Sequence, residues 1–292
     1  MTSIITNAHT KPREKFINEI LAIEAEEAKH AGALGYMARA LVQATMPHRK
    51  HAGPEFTRRN GTFTLSLLAP SHIGLPYGSI PRLLVSWVTT EAVITGNREL
   101  VLGNNLSQFM RQLGMVSTGG RWGTVTRLKD QMQRLFASSI TFTNTNGDNF
   151  LIETTKVVDS ARLWWAPKTP EQITLWDSTL ILGERFFNEI THNPIPIDLR
   201  ALRALRRSPM ALDIYCWLTY RMSYLKKPIV IPWGMLQIQL GAEYSRERDF
   251  KAAFIFALKK VLCIYQANVE HHANGLLMKP SRSHIPRSTK AC

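Results

Sequence analysis

Acidic residues are scarce in this 292-residue chain: 22 Asp and Glu stand against 36 Lys and Arg, which leaves a formal net charge of +14 and a pI near 10.0. A basic excess of this size attracts polyanions. Cysteine is scarcer still. The three thiols, Cys216, Cys263 and Cys292, are far apart and form no Cys-x-x-Cys spacing, so neither a disulfide framework nor a thiolate zinc site is expected. Cys216 and Cys263 sit in apolar runs (IYCWL and VLCIY) and are expected to be small buried hydrophobes. His271 and His272 are adjacent, which suits a loop or strand better than a chelating helix face. No metal and no cofactor is expected.

Long apolar runs are also missing. No stretch approaches the roughly 18 consecutive apolar residues of a membrane span, and residues 1–12 lack the apolar run of an export signal. A cytoplasmic protein is expected. There is no basic amphipathic helix or lipidation motif to direct the positive charge at an anionic membrane, which leaves nucleic acid as the polyanion. The chain has no Gly-x-x-x-x-Gly-Lys-Ser/Thr phosphate loop, no His-hydrophobe-His pair with a nearby Tyr, no clustered carboxylates for two-metal chemistry and no Gly-x-Ser-x-Gly. The expectation is a protein that is not an enzyme.

What is present is the composition of a globular chain with cores, 45% apolar and 20% charged, long enough for one large domain or two ordinary ones. Apolar spacing predicts a helix over 11–46 with an acidic middle (Glu24, Glu26, Glu27), read as a solvated face or a partner-binding arm. It predicts a strand over 63–68, a helix over 81–94 opened by Pro81, and a short strand over 98–102. A helix over 106–113 follows, capped by Asn105 and ended by Gly114, and then a long amphipathic helix over 124–138. Strands over 140–144 and 150–158 around Asn146-Gly147 read as a hairpin. Helix, strand, helix, turn, helix, hairpin is the order of a winged helix.

The second half repeats this order: a strand over 179–187, helices over 199–205 and 210–225, a strand over 229–231, helices over 233–240 and 243–265, and a hairpin over 269–279. Trp87 and Trp217, FMRQLG (109–114) and LQIQLG (236–241), and Asn146-Gly147 and Asn274-Gly275 recur about 130 residues apart. The expected fold class is α+β, mostly helical, with tandem winged-helix domains. The expected division is 1–50 as an N-terminal helical segment, 51–168 and 169–280 as the two domains, and 281–292 as a basic, mobile tail.

A winged helix reads DNA with its third helix in the major groove, so the exposed polar residues of that helix are the candidates. In the first half these are Arg121, Thr124, Arg127, Lys129, Gln131 and Arg134; in the second, Ser245, Arg246, Arg248 and Lys251. Glu247 and Asp249 dilute the charge of the second set. Arg200, Arg203, Arg206 and Arg207 form a flank suited to phosphates. Trp87, Trp176, Trp217 and Trp233 stand in apolar surroundings and read as core, whereas Trp122, Trp164 and Trp165 lie beside turns, with Trp122 near enough to Arg121 to touch sugar-phosphate.

Several segments carry a further signal: GYMARALVQATMPHRK (35–50), EFTRRNG (55–61), GLPYGSIPRLL (74–84), TTEAV (89–93), FMRQLG and TGGRWGTVTRLKDQM, then FFNEI, PIDLRALRAL and SPMALDIYCWLTYR. Over residues 35–280 the chain resembles the plasmid-encoded RepA family of replication initiators. The resemblance implies two winged-helix domains that bind double-stranded DNA at directly repeated origin sites (iterons). It implies opening of a nearby AT-rich region, recruitment of the host initiator DnaA and the replicative helicase, and control of copy number. It also implies a homodimer that represses its own promoter while monomers fire the origin. Two alternatives remain open from the residues themselves: a winged-helix transcriptional regulator, and an enzyme that processes DNA.

Overall fold

The computed structural model describes residues 7–103, 105–163, 178–241 and 244–285. Over these residues the chain is a mixed α/β fold in which helices pack with small, wholly antiparallel sheets.

The N-terminal region differs from the single helix expected over 11–46. Helix α1 (Asn7–Ala25) ends early, and strand β1 (Leu34–Met37) and a short helix α2 (Arg39–Gln43) follow. Arg200 stops α1: its Nη1 donates to the carbonyl of Ala22 at 2.9 Å and its Nη2 to that of Glu26 at 2.8 Å, capping carbonyls that the helix leaves without partners. Two hairpin strands come next, β2 (Glu55–Asn60) and β3 (Phe63–Leu68), and only the second was visible in the apolar pattern.

Helix α3 (Ser79–Thr95) carries Pro81 in its first turn and ends at Gly96, whose φ of 63° is left-handed and whose N–H returns to the carbonyl of Ala92. Strand β4 (Glu99–Val101), helix α4 (Leu106–Gln112) and helix α5 (Thr124–Ala137) follow, with the Asn105 side chain accepting from the Gln108 N–H to cap α4. Strands β5 (Ser139–Asn146) and β6 (Asn149–Lys156) form the expected hairpin. Its partner is not β4, however. The hairpin extends the β2–β3 pair into the sheet β2-β3-β5-β6, while β4 pairs with β8 (Thr179–Leu182) and β8 with β7 (Val158–Arg162).

The expected strand over 179–187 is two elements, β8 and then helix α6 (Glu184–His192). After strand β9 (Ile195–Asp198) come α7 (Leu199–Leu205), α8 (Pro209–Met222), β10 (Ile229–Pro232), α9 (Trp233–Leu240) and α10 (Glu247–Leu262). Strands β11 (Val269–His271) and β12 (Gly275–Met278) close a sheet of order β10-β12-β11. Asn146-Gly147 and Asn274-Gly275 therefore occupy turns of hairpins that join different sheets, so this part of the apparent repeat is not a structural equivalence. The parts that place Trp87 with Trp217 on α3 and α8, and 109–114 with 236–241 around α4 and α9, fall on elements of the same order.

The two halves share one apolar core. Trp87 meets Phe109 edge-on at 4.9 Å, and Trp233 meets Phe254 at 5.7 Å. The indole N–H groups donate to Gln112 Oε1 and to the carbonyl of His272. Strand β1 pairs with β9, which ties residues of the N-terminal region to the second half.

A buried ion pair makes a second tie. All five N–H groups of Arg82 on α3 are used: Nε and Nη2 reach the two oxygens of Asp213 on α8, and the others reach the carbonyls of Met46, Pro47 and Gly78. His48 adds a 2.7 Å bond from Nε2 to Asp213 Oδ2. Burial alone would raise the Asp213 carboxyl, but Arg82 beside it and the bonds from His48 and Arg82 outweigh this and hold it below its usual value. Burial also lowers His48, so a neutral imidazole donates to the carboxylate.

The residues beyond Lys279 begin as packed chain rather than a free tail. Tyr265 Oη donates to the Arg282 carbonyl at 2.9 Å, Arg282 pairs with Glu27, and His284 lies against Tyr215 and Tyr265. Residues 286–292 lie outside the described residues. Cys216 is buried as expected, but Cys263, just past the end of α10, is exposed, with its Sγ donating to the Lys259 carbonyl while the buried side chains around it are Val261, Ile264 and Tyr265. Trp87, Trp217 and Trp233 are core. Trp164, Trp165 and Trp176 lie outside the described residues. Among the described residues no helix is long and apolar enough to cross a membrane.

Candidate nucleic-acid interface

Helix α5 buries Leu128, Met132, Leu135 and Phe136 on one face, with Val125 of its first turn packed against the same core. The loop before it is closed by reciprocal bonds. The Thr118 N–H donates to Thr124 Oγ1 at 2.9 Å, the Thr124 N–H donates to Thr118 Oγ1 at 3.0 Å, and Thr124 Oγ1 donates to the Val116 carbonyl at 2.6 Å. Thr118 thus supplies from a distance the cap that Gly123, at the N-cap position, lacks. A Cβ on Gly123 would lie 2.3 Å from the carbonyl oxygens of both Thr118 and Gly119, so only glycine lets the loop close this tightly.

The structure separates the expected residues of this helix. Arg121, Arg127 and Lys129 are exposed. Thr124 is spent on bracing the loop. Gln131 is buried: its Oε1 accepts from the Tyr77 N–H at 2.8 Å and its Nε2 donates to Asp130. Arg134 is largely covered, bonded to Asp130 at 2.9 Å and held over the Tyr77 ring. These last two side chains fasten α5 to the 75–77 segment and are not presented outward.

On α10, Ser245, Arg246 and Arg248 are exposed at the first turn beside Glu247 and Asp249, and Arg248 is 75% accessible with only a 3.5 Å approach to Asp249. Lys251 is not presented outward. Its Nζ donates to the carbonyls of His272 and Ala273 and lies 5.0 Å from the centre of the Trp233 ring, tying α10 to the β11–β12 turn.

The arginine run of α7 also divides. Arg200 grips Asp198 and the end of α1, and Arg206 approaches Glu19 of α1 at 3.6 Å, while Arg203 and Arg207 are exposed. The acidic residues of α1 and the segment after it face solvent, apart from the pairing of Glu27 with Arg282 and the approach of Glu19 to Arg206.

One signal escaped the reading of helix faces. From Leu100 to Lys129 the chain contains no Asp or Glu, and the four cations of this stretch, Arg111, Arg121, Arg127 and Lys129, are all exposed. Arg111 stands on the last turn of α4. The missing acid could have been counted directly in the sequence. The stretch also contains the N-terminus of α5, whose positive end adds to the attraction of its exposed cations for anions.

Residues 75–234 match the family described as "Plasmid encoded RepA protein". The fold is similar to a crystal structure of domains 2 and 3 of RctB, with a TM-score of 0.54 and 10% identity over 83% of this chain and 99% of that one. A second structure of RctB domains 2–3 gives 0.50 and 12% over 82% and 96%. At these identities the likeness is one of fold. No curated protein matches the chain in sequence.

Proposed function

Because the chain belongs to the plasmid-encoded RepA family, we propose that it is a plasmid replication initiator that binds double-stranded DNA through two winged-helix units, with α5 and α10 as the reading helices. The observation that carries the reading is that residues 100–129, which run through α4 and into α5, hold no acidic residue and four exposed cations, Arg111, Arg121, Arg127 and Lys129. The β10-β12-β11 sheet packed with α8, α9 and α10 supports the second unit, and Arg246 and Arg248 supply its exposed cations.

On this reading Arg121, Arg127, Lys129, Arg246 and Arg248 meet the DNA, with Ser245 beside them. Arg111, Arg203 and Arg207 add phosphate attraction. The target is a set of direct repeats at the origin. The protein works without catalysis: binding two units on one duplex strains a neighbouring AT-rich stretch toward opening. It acts in the cytoplasm, hands the opened origin to host DnaA and helicase, and as a homodimer represses its own gene.

Footprinting of the purified protein on DNA flanking its gene, with non-specific competitor, tests this. Protection of several direct repeats is the expected result. Protection of a single inverted repeat over the promoter makes the protein a regulator instead, and absence of specific protection discards both.

A further inference from the structure

The other tryptophans of the described residues, Trp87, Trp217 and Trp233, are core, yet Trp122 is 82% exposed. Its loop is not slack. Besides the Thr118–Thr124 bonds, the Gly123 N–H donates to the Gly120 carbonyl at 3.0 Å, and Thr126 Oγ1 donates to the same carbonyl at 2.9 Å. Gly120, at a φ of 86°, allows the turn. From this braced ring the side chains of Arg121 and Trp122 emerge together, with the guanidinium 5.2 Å from the centre of the indole. A large aromatic plane therefore projects into water from a loop whose backbone is already fixed, which lowers the ordering cost of a contact made there.

The chemistry around the plane selects the partner. Residues 100–129 contain no acid, and Arg121, Arg127 and Lys129 among them are exposed. A flat apolar surface among cations suits a ligand made of flat aromatic groups joined by anions. We propose that Trp122 stacks on a nucleobase at a kinked or unpaired step of the bound DNA, with Arg121 on the adjoining phosphate. This rests on the initiator reading and adds to it a contact that acts on base stacking itself.

The test compares wild-type protein with Trp122→Ala and Trp122→Phe on DNA flanking its gene, duplex and single-stranded, with permanganate probing of unstacked thymines. The side chain is exposed, so unchanged melting temperatures establish that the variants fold. The expected result is that Trp122→Ala loses roughly tenfold or more in affinity and loses permanganate reactivity inside the footprint, and that Trp122→Phe retains most of both. A loss confined to single-stranded DNA assigns the stack to an unpaired base, and a loss on duplex as well assigns it to a kinked step. Unchanged affinity and reactivity in Trp122→Ala, with the wild-type footprint intact, overturns the stacking contact and leaves the initiator reading standing. If wild-type protein protects nothing, both fall.

Discussion

Arg82 and Asp213 meet in a two-pronged ion pair, Nε to Oδ1 at 2.6 Å and Nη2 to Oδ2 at 2.7 Å, with both side chains buried and one contributed by each half of the chain. Removing either partner strands the other in a dry site. We expect Asp213→Ala or Arg82→Ala to lose about 3–5 kcal/mol of stability. The double variant Arg82→Met with Asp213→Leu, which leaves no charge behind, is expected to lose less than either single variant. Urea unfolding of the three proteins checks this.

The same cluster makes stability depend on pH. Asp213 is held below its usual 3.8 by Arg82 against the opposing effect of burial, so its contribution is present above that value and is lost as pH falls through the lower folded value. Burial lowers His48 from 6.5, so stability also declines as pH drops below 6.5. The His48 part is read by comparison: acidification below about 6.5 is expected to lower the melting temperature of the wild-type protein relative to that of His48→Gln.

Glu189 on α6 behaves in the opposite sense. Burial pushes its carboxyl up to about 7, only partly offset by Arg39 and the Ala40 N–H. An acid raised in the folded state contributes stability below its unfolded value, and that contribution is lost as pH rises through about 7. Glu189→Gln is expected to stabilise the protein at pH 8 by about 2 kcal/mol and to change little near pH 4. Denaturant melts at the two pH values read the difference.

Exposed cations and fastened polar side chains are expected to separate by function. Alanine at Arg246 and Arg248 weakens binding to origin DNA by about 1–3 kcal/mol for each base no longer read, more than binding to random DNA. Alanine at Arg203 or Arg207 weakens both alike and lowers the salt slope by about one. Alanine at Gln131, Arg134 or Lys251 reduces stability first, because these side chains fasten helices to their neighbours. Fluorescence anisotropy across a salt series, beside thermal melts, distinguishes the three groups.

The loop before α5 gives a purely local test. Gly123→Ala forces a Cβ against two carbonyl oxygens, and Thr118→Val removes the cap on the Thr124 N–H at a cost of about 1 kcal/mol. Both are expected to weaken DNA binding without disturbing the fold at large, with Gly123→Ala the stronger. Proteolysis at the loop, compared with global unfolding, shows whether the change stays local.

The sequence made the helices easy to see and the strands hard. Helices α3, α4, α5, α7, α8, α9 and α10 follow three- and four-residue apolar spacing, and Pro81 and Asn105 mark the starts of two of them. Strand β2 hides because its inward residues are Phe56 and Arg58, and a fully buried arginine reads as solvent-facing. Strands β1 and β9 have four residues each and gain their order from one another, a relation no local pattern records. Helix α6 reads in sequence as a continuation of the strand because Phe186 and Phe187 extend the apolar run of β8, although Gly183 divides them. In the candidate interface, position on the helix identified Arg121, Arg127, Lys129, Arg246 and Arg248 as outward-facing. It could not separate them from Gln131, Arg134 and Lys251, whose partners Tyr77, Leu75 and His272 come from other segments of the chain.

The pairing of β1 with β9 has a consequence for how the protein is made. Strand β1 leaves the ribosome early but finds its partner only after Asp198 has been synthesised, and β4 likewise waits for β8. Small domains often close in the order of their synthesis. Here β1 and β4 stay unpaired until well over half the chain has emerged, so nascent chains released early would carry these unpaired edges, prone to association.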